Sequence, residues 1–226
     1  MRPAPPLPDS FFQRPPHHLA VALLGKVLFR RIDDLWLACQ IVETEAYFVD
    51  EKASHSSLGR TPSREAMFMP AGTLYLYYSR GKPTLNISAE GDGNAVLVKA
   101  GIPWRPTPAM IKVMEAALER PKPVEKLCAG QTLLARALYL QVEPWRGRRF
   151  DPQQFFLADV GYRPEKIVQT TRLGIAPHRD AHLPYRFVDA AHVRSATRNP
   201  MTRQKVAGVD YHLLSYEQAI RLERAH

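Results

Sequence analysis

The sequence predicts one domain of mixed α/β (α+β) class, built around a mostly antiparallel β-sheet flanked by helices. Helix-like and strand-like segments are interspersed along the 226 residues, and the strand-like segments come in hairpin-like pairs. No linker rich in Pro, Gly or Ser divides the chain, and no internal repeat is visible. At roughly 150 residues per domain, this length suits one large domain.

Composition excludes several classes of protein. The two cysteines, Cys39 and Cys128, are too few for a disulfide scaffold or a Cys-rich zinc module and fit a reducing cytoplasm. No window approaches the roughly 20 apolar residues of a spanning helix, and the first ten residues carry no signal-peptide core. Lys and Arg total 31 against 22 Asp and Glu, and the net charge of +9 favours a polyanionic partner.

The first part of the chain predicts an arm, a helix, a strand and a loop. Residues 1–16 are proline-rich and are expected to form an extended N-terminal arm, followed by a single domain over 17–226. Apolar residues at helical spacing predict an amphipathic helix over 17–30. The β-branched and apolar run at 35–47 predicts a strand, and the polar stretch 48–66 predicts a long surface loop.

The rest of the chain predicts hairpins and short helices. Three strands are expected, joined in part by a turn at Gly91 and Gly93, and they cover 73–78, 85–88 and 94–99. Thr107 and Pro108 mark the start of a helix, as a cap residue and a proline at the first helical position. The remaining predictions are helices at 107–119, 130–139 and 216–224 and short strands at 171–175 and 185–189.

The VETEAY run at 42–47 places two carboxylates at the end of an apolar strand. Side chains alternate along a strand, so Glu43, Glu45 and Tyr47 are expected on one face. A carboxylate beside an aromatic ring at the edge of a core suits a general base. The alternative is an edge strand with solvent-facing glutamates, and this segment alone does not separate the two.

Tyr75, Tyr77 and Tyr78 lie within four positions of one predicted strand. Alternation sends Tyr75 and Tyr77 to one face and Tyr78 to the other. Aromatic rings near a basic surface suit base stacking, whereas the alternative is cross-strand packing. Their number on a basic chain favours stacking.

No metal or cofactor is expected. His178 and His182 have the i, i+4 spacing of helical metal ligands, but Pro184 follows closely and no third ligand stands at a telling distance. The sequence contains no phosphate-binding glycine loop and no nucleophile elbow.

An ordered series of motifs resembles the alkyladenine (3-methyladenine) DNA glycosylase family. It consists of VETEAY at 42–47, His55 in ASHSS, MFMPAGTLYLYY at 67–78, LNIS at 85–88, EGDGNAVLVKA at 90–100, LCAG at 127–130, RLGI at 172–175 and PYRF at 184–187. The match extends from about residue 11 to about residue 195. It implies a single mixed α/β domain around a curved antiparallel sheet.

The resemblance also implies roles for individual residues. Glu45 matches the general base that activates the hydrolytic water, and Lys99 stands where the family has an arginine near the glutamate and the adjacent phosphate. A family tyrosine that wedges into the minor groove is replaced here by Arg80, with Ser79 as the other candidate for that position.

The base-binding pocket follows from the same resemblance. Tyr47, His55 and Tyr77 match aromatic and hydrogen-bonding walls around an extruded base. Asn86 matches a pocket residue that screens purines by their exocyclic groups.

These expectations together predict a monofunctional DNA glycosylase that extrudes and excises alkylated purines from duplex DNA in base excision repair. Double-stranded DNA is the expected partner, the protein is expected to be a monomer without membrane contact, and no cofactor is implied. It would act in the nucleoid of a prokaryotic cytoplasm, or in a eukaryotic nucleus. The alternatives are a non-catalytic nucleic-acid-binding module, in which a carboxylate facing DNA has no use, and a nucleoside hydrolase, which needs no +9 surface.

Overall fold

A computed structural model describes residues 4–225 and shows a mixed α/β domain around one large, open antiparallel sheet. This confirms the predicted fold class. The strands are β1 Val27–Ile32, β2 Leu35–Tyr47, β3 Leu74–Ser79, β4 Lys82–Ser88, β5 Ala95–Pro103, β6 Phe155–Ala158, β7 Lys166–Thr170, β8 Arg186–Asp189 and β9 Tyr211–Ser215. The α-helices are α1 Pro16–Leu23, α2 Pro108–Ala116, α3 Gln131–Ala137, α4 Val142–Trp145 and α5 Tyr216–Ala219. Short 3₁₀ helices lie at Asp9–Phe12, His55–Leu58, Glu65–Phe68, Val124–Lys126 and Ala190–Ser195.

Strand β2 organises the sheet. The main strand order is β3-β4-β5-β2-β8-β7-β9, and every ladder between these strands is antiparallel. The first half of β2 also pairs with β1, which in turn pairs with β6. Because β2 is 13 residues long, it carries β1 and β8 in succession along one edge while β5 occupies the other.

Helix α1 covers one face of β2 and leaves the other face for the side chains of VETEAY. The Thr44 hydroxyl donates to the Ala20 carbonyl of α1 at 2.9 Å. Neighbouring side chains on a strand point to opposite faces, so Glu43 and Glu45 lie on the face away from α1. Both are fully buried, at 0% exposure, and the solvent-facing alternative is therefore wrong.

The predicted helix over 17–30 is wrong beyond Leu23. Leu24 is extended and Gly25 has a φ of +82°, and the chain then enters β1. A Cβ at position 25 would lie 2.6 Å from the Tyr162 ring, so this glycine ends the helix where the chain packs closely. The β-branched and aromatic residues after it complete a ladder with β2 and β6 that local periodicity does not reveal.

Two other element predictions are wrong in position or length. The strand expected at 171–175 lies one segment earlier, at β7, and 171–175 forms a loop. The last helix spans Tyr216–Ala219 rather than 216–224, and a capping box at Ser215 and Gln218 fixes its start. The strand predicted at 35–47 and the cap at Thr107, whose side chain accepts from the Met110 amide, are confirmed.

The proline-rich start of the chain packs on the domain over its described part. Leu7 donates its amide to the Leu157 carbonyl at 2.8 Å, and Phe12 is buried against Phe150. Residues 1–3 of the predicted arm lie outside the described residues. Within residues 4–225, no helix has the length and apolarity that crossing a bilayer requires.

A buried histidine on α1 predicts a pH-dependent stability. Burial, the neighbouring His18 and Arg224 lower the pKa of His17 to about 4, although a hydrogen bond with the Leu222 carbonyl acts in the opposite direction. Below the unfolded-state pKa of about 6.5, the unfolded chain binds a proton that the folded chain excludes. The free energy of unfolding is therefore unaffected by the titration of His17 above that pH. It decreases as the pH falls toward 4, by up to roughly 3 kcal/mol.

We expect His17→Gln to flatten this dependence. Urea unfolding between pH 4 and 7 should show the free energies of wild type and variant diverging with pH. His178→Gln, which removes an exposed histidine, is the control and should follow the wild type. Parallel curves for wild type and His17→Gln would contradict the assignment.

Candidate active site

The Glu45 carboxylate is the centre of the site. It lies on β2 and is held by donors from three segments: Tyr47 Oη donates to Oε2 at 2.8 Å, Lys99 Nζ to Oε2 at 3.1 Å, and the Leu173 amide to Oε1 at 3.0 Å. These bonds fix the orientation of the carboxylate and compensate for its burial.

A break in the strand register brings Lys99 to Glu45. Glu43 pairs with Ala100 and Thr44 pairs with Val98, so Lys99 is the extra residue of β5 between two ladder positions. Such a bulge re-aims a side chain locally. The lysine is nearly buried, and its charge is opposed by the carboxylate of Glu45.

Tyr47 connects the carboxylate to the pocket. Burial, reinforced by the charge of Glu45, raises the pKa of Tyr47 well above its usual value of 10, so its hydroxyl stays a donor. The Arg172 guanidinium lies 4.6 Å from the ring centroid, and the same group bonds the Ala46 carbonyl and the Glu51 carboxylate. The ring is therefore held from behind by a cation whose charge Glu51 compensates.

A second part of the pocket lining consists of His55, Tyr75 and Tyr77, which contact one another. The ring of His55 lies 4.5 Å from that of Tyr77, and its Nδ1 is 3.1 Å from the Tyr75 hydroxyl. Tyr75 and Tyr77 stack with centroids 5.6 Å apart. Burial and the charges of Arg64 and Arg179 lower the pKa of His55, so the imidazole is neutral at pH 7.

These walls enclose a pocket of about 820 Å³. Asn86 lies in its lining on β4 and donates its side-chain amide to the Tyr75 carbonyl at 3.1 Å. Five basic side chains belong to the same lining, and they are Arg80, Lys82, Lys99, Arg179 and Arg198. The pocket therefore combines aromatic walls with a cationic mouth.

Arg80 occupies a two-residue turn between β3 and β4. Arg80 and Gly81 have φ values of +51° and +74°, as type I′ hairpin turns require at both central positions. Arginine is uncommon in such a backbone conformation. It lies at an exposed hairpin tip, whereas Ser79 is the last paired residue of β3.

The structure brings the residues identified from the sequence to one pocket. The lining includes Tyr47, His55, Tyr77, Arg80, Asn86 and Lys99, and Glu45 lies directly behind it, bonded to the lining residues Tyr47, Lys99 and Leu173. Sequence reasoning missed the amide of Leu173 and the guanidinium of Arg172. Both belong to RLGI, a run that contributed to the resemblance but carried no assigned role. Within residues 4–225, no three His, Cys, Asp or Glu side chains form a group that could hold a metal.

The other glutamate of VETEAY has different partners. Glu43 Oε1 accepts from Arg186 Nε at 2.6 Å, and Oε2 accepts from the Thr197 amide at 2.7 Å. Arg186 also donates to the Arg198 carbonyl at 2.6 Å. Glu43 therefore connects β2 to β8 and to the segment that follows it.

An oriented carboxylate directly behind the lining of an aromatic pocket with a cationic mouth suits an enzyme of the DNA glycosylase class, in which a flat base enters the pocket and phosphates remain outside. Residues 10–193 match the family model described as methylpurine-DNA glycosylase (MPG). The chain belongs to this family. It is therefore a DNA glycosylase for alkylated bases, a hydrolase of the N-glycosidic bond, and the binding-module and nucleoside-hydrolase alternatives are not supported.

Individual relatives agree with the family match. A protein of Pseudomonas aeruginosa (strain UCBPP-PA14) is 51% identical over 226 residues, covering 95% of this chain and 92% of its own. One from Pseudomonas savastanoi pv. phaseolicola is 51% identical over 91% of this chain and 95% of its own. A protein of Koribacter versatilis is 34% identical to this chain, and the match covers 82% of this chain and 90% of the relative. All three carry the provisional name 3-methyladenine DNA glycosylase.

We expect Glu43→Gln to act mainly on stability. Breaking a buried ion pair leaves Arg186 without its counter-charge and typically costs 3–5 kcal/mol. Denaturant unfolding should therefore show a loss of about that size. Glu165→Gln, which removes an exposed carboxylate, is the control and should change stability by no more than about 0.5 kcal/mol. Unchanged stability of Glu43→Gln would show that the ion pair does not hold these strands together.

Proposed function

We propose that the protein is a monofunctional glycosylase that extrudes alkylated purines of the 3-methyladenine type from duplex DNA and excises them hydrolytically in base excision repair. The observation that carries the proposal is the Glu45 carboxylate, which is oriented by Tyr47, Lys99 and Leu173 directly behind the lining of an aromatic pocket. The pocket volume of about 820 Å³ is ample for a purine.

The walls favour a flat, positively charged base. Aromatic stacking contributes about 1–3 kcal/mol per base and offsets part of the cost of extrusion. Tyr47 and Tyr77 present π-faces to a cationic alkylpurine, and His55 adds no opposing charge because it is neutral at pH 7. With Nδ1 engaged by the Tyr75 hydroxyl, Nε2 of His55 is the nitrogen that can face the base, and Asn86 screens exocyclic groups.

Hydrolysis then needs a single carboxylate. A water attacks the sugar C1′ as oxocarbenium character develops, Glu45 takes its proton, and the alkylated base leaves with the bonding electron pair. A cationic base departs as a neutral molecule, so no acid is needed to protonate it. Lys99 is paired with the Glu45 carboxylate and is not used as a nucleophile, which leaves the DNA strand uncleaved.

The setting of the reaction follows from charge and from the relatives. The net charge of +9 and the cationic mouth favour duplex DNA, and we propose that Lys99 and Arg80 contribute to its binding. The relatives are bacterial, so the nucleoid of a bacterial cytoplasm is the proposed location, with the enzyme acting as a monomer.

We expect Glu45→Gln to retain DNA binding and to lose base release by about 10²–10⁴-fold, since the amide keeps the shape of the side chain but cannot take a proton. Single-turnover excision from a duplex carrying 3-methyladenine or 7-methylguanine measures the loss. Glu165→Gln serves again as the matched control. Equal rates for Glu45→Gln and wild type would overturn the assignment of the base.

Arg80 is proposed to fill the gap that extrusion leaves in the stack, because a planar guanidinium can stack on bases. Arg80→Asn removes the guanidinium while tolerating the positive φ of the turn. It should slow excision from duplex DNA by about tenfold, equivalent to roughly 1.4 kcal/mol in the barrier, and should affect single-stranded substrate much less. Arg80→Tyr should keep or raise duplex activity.

The comparison of the two substrates decides the role of Arg80. A single strand has no continuous stack to repair, so only a wedge produces a loss confined to the duplex. Equal losses on both substrates would make Arg80 an ordinary phosphate contact.

A further inference from the structure

The segment 195–198 contributes two residues to the pocket lining, and it lies beyond residue 193, where the family match ends. Thr197 and Arg198 both line the pocket although they are distant in sequence from its other walls. Their place there is fixed by contacts with the sheet, not by regular secondary structure of their own.

A buried ion pair clamps this segment. The Thr197 amide donates to Glu43 Oε2 at 2.7 Å, and Arg186 donates to the Arg198 carbonyl at 2.6 Å. Glu43 and Arg186 are bonded to each other at 2.6 Å and are almost completely buried. The position of the Arg198 backbone is therefore fixed relative to β2, the strand that carries both Glu43 and Glu45.

The guanidinium of Arg198 is exposed, and within residues 4–225 no carboxylate lies in ion-pair distance of it. Its cationic neighbours around the mouth are mostly engaged by the protein itself. Lys82 pairs with Glu119, Lys99 pairs with Glu45, and Arg179 donates to the Lys52 carbonyl. Arg198 thus offers a free planar donor at a position that the sheet defines.

We propose that Arg198 binds a backbone phosphate beside the extruded nucleotide, and that the Glu43–Arg186 pair is the positioning element that sets its distance from Glu45. The phosphates of a nucleotide flank its sugar on both sides, so a base held in the pocket leaves them at the mouth. Arginine matches a phosphate with two parallel hydrogen bonds. This inference rests on the proposed extrusion of the base.

The test compares Arg198→Ala, Arg198→Lys and Arg203→Ala on a lesion-containing duplex. Arg203 is exposed on the same polar segment, is not part of the pocket lining, and its replacement removes the same charge. Because Arg198 is exposed, its substitution should not impair folding. Arg198→Ala should make the slope of log K against log salt shallower by about 0.9, whereas Arg198→Lys should restore it.

To locate the contact, a neutral methylphosphonate replaces the phosphate on one side of the lesion or on the other, in two separate substrates. At one of the two positions it should slow wild-type single-turnover excision about tenfold at limiting enzyme, equivalent to roughly 1.4 kcal/mol, and should leave Arg198→Ala unchanged. Arg203→Ala should keep the wild-type sensitivity.

Two results would overturn the inference: an Arg198→Ala variant equal to wild type in salt slope and rate, or one as sensitive as wild type to neutralisation at both phosphates. These two results differ from a failure of the proposed function. If that function were wrong, the wild-type protein itself would release no base from the duplex.

Discussion

Two buried carboxylates on one face of β2 are the constraint on which the rest of the structure depends. Burying an ion costs several kcal/mol unless a counter-ion and hydrogen bonds compensate for the lost hydration. Glu45 obtains them from Lys99, Tyr47 and the Leu173 amide, and Glu43 from Arg186 and the Thr197 amide. β5, β8 and two loops must therefore converge on β2, and their convergence forms the pocket.

The distribution of charge suits a cationic base on an anionic backbone. Inside the pocket, Glu45 offsets Lys99, Glu51 offsets the guanidinium behind Tyr47, and His55 is neutral. At the mouth, arginines remain available to phosphate. In the proposed reaction this distribution of charge keeps phosphates outside while the aromatic walls receive the base, and it leaves Glu45 to activate water.

The sheet explains how such a site stays ordered. Strand alternation separates the packing face of β2, where Thr44 bonds α1, from the chemical face. The register shift that places Lys99 beside Glu45 lies between two regular ladders, so the irregularity is held on both sides. Arg80, in contrast, lies at a hairpin tip, where a side chain can reach a substrate but has little support.

The sequence by itself determined the fold class and the extent of β2, because element patterns and strand alternation are local signals, and its resemblance to a known family implied the set of pocket residues. It could not place β1, since the ladder that β1 completes with β6 joins residues more than 120 positions apart. Nor could it assign Leu173 or Arg198, because a backbone amide and a lone loop arginine have no local signature. The resemblance singled out Glu45 as the general base, whereas strand alternation placed Glu43 and Glu45 on the same face, and only the tertiary structure showed that each carboxylate has its own donors.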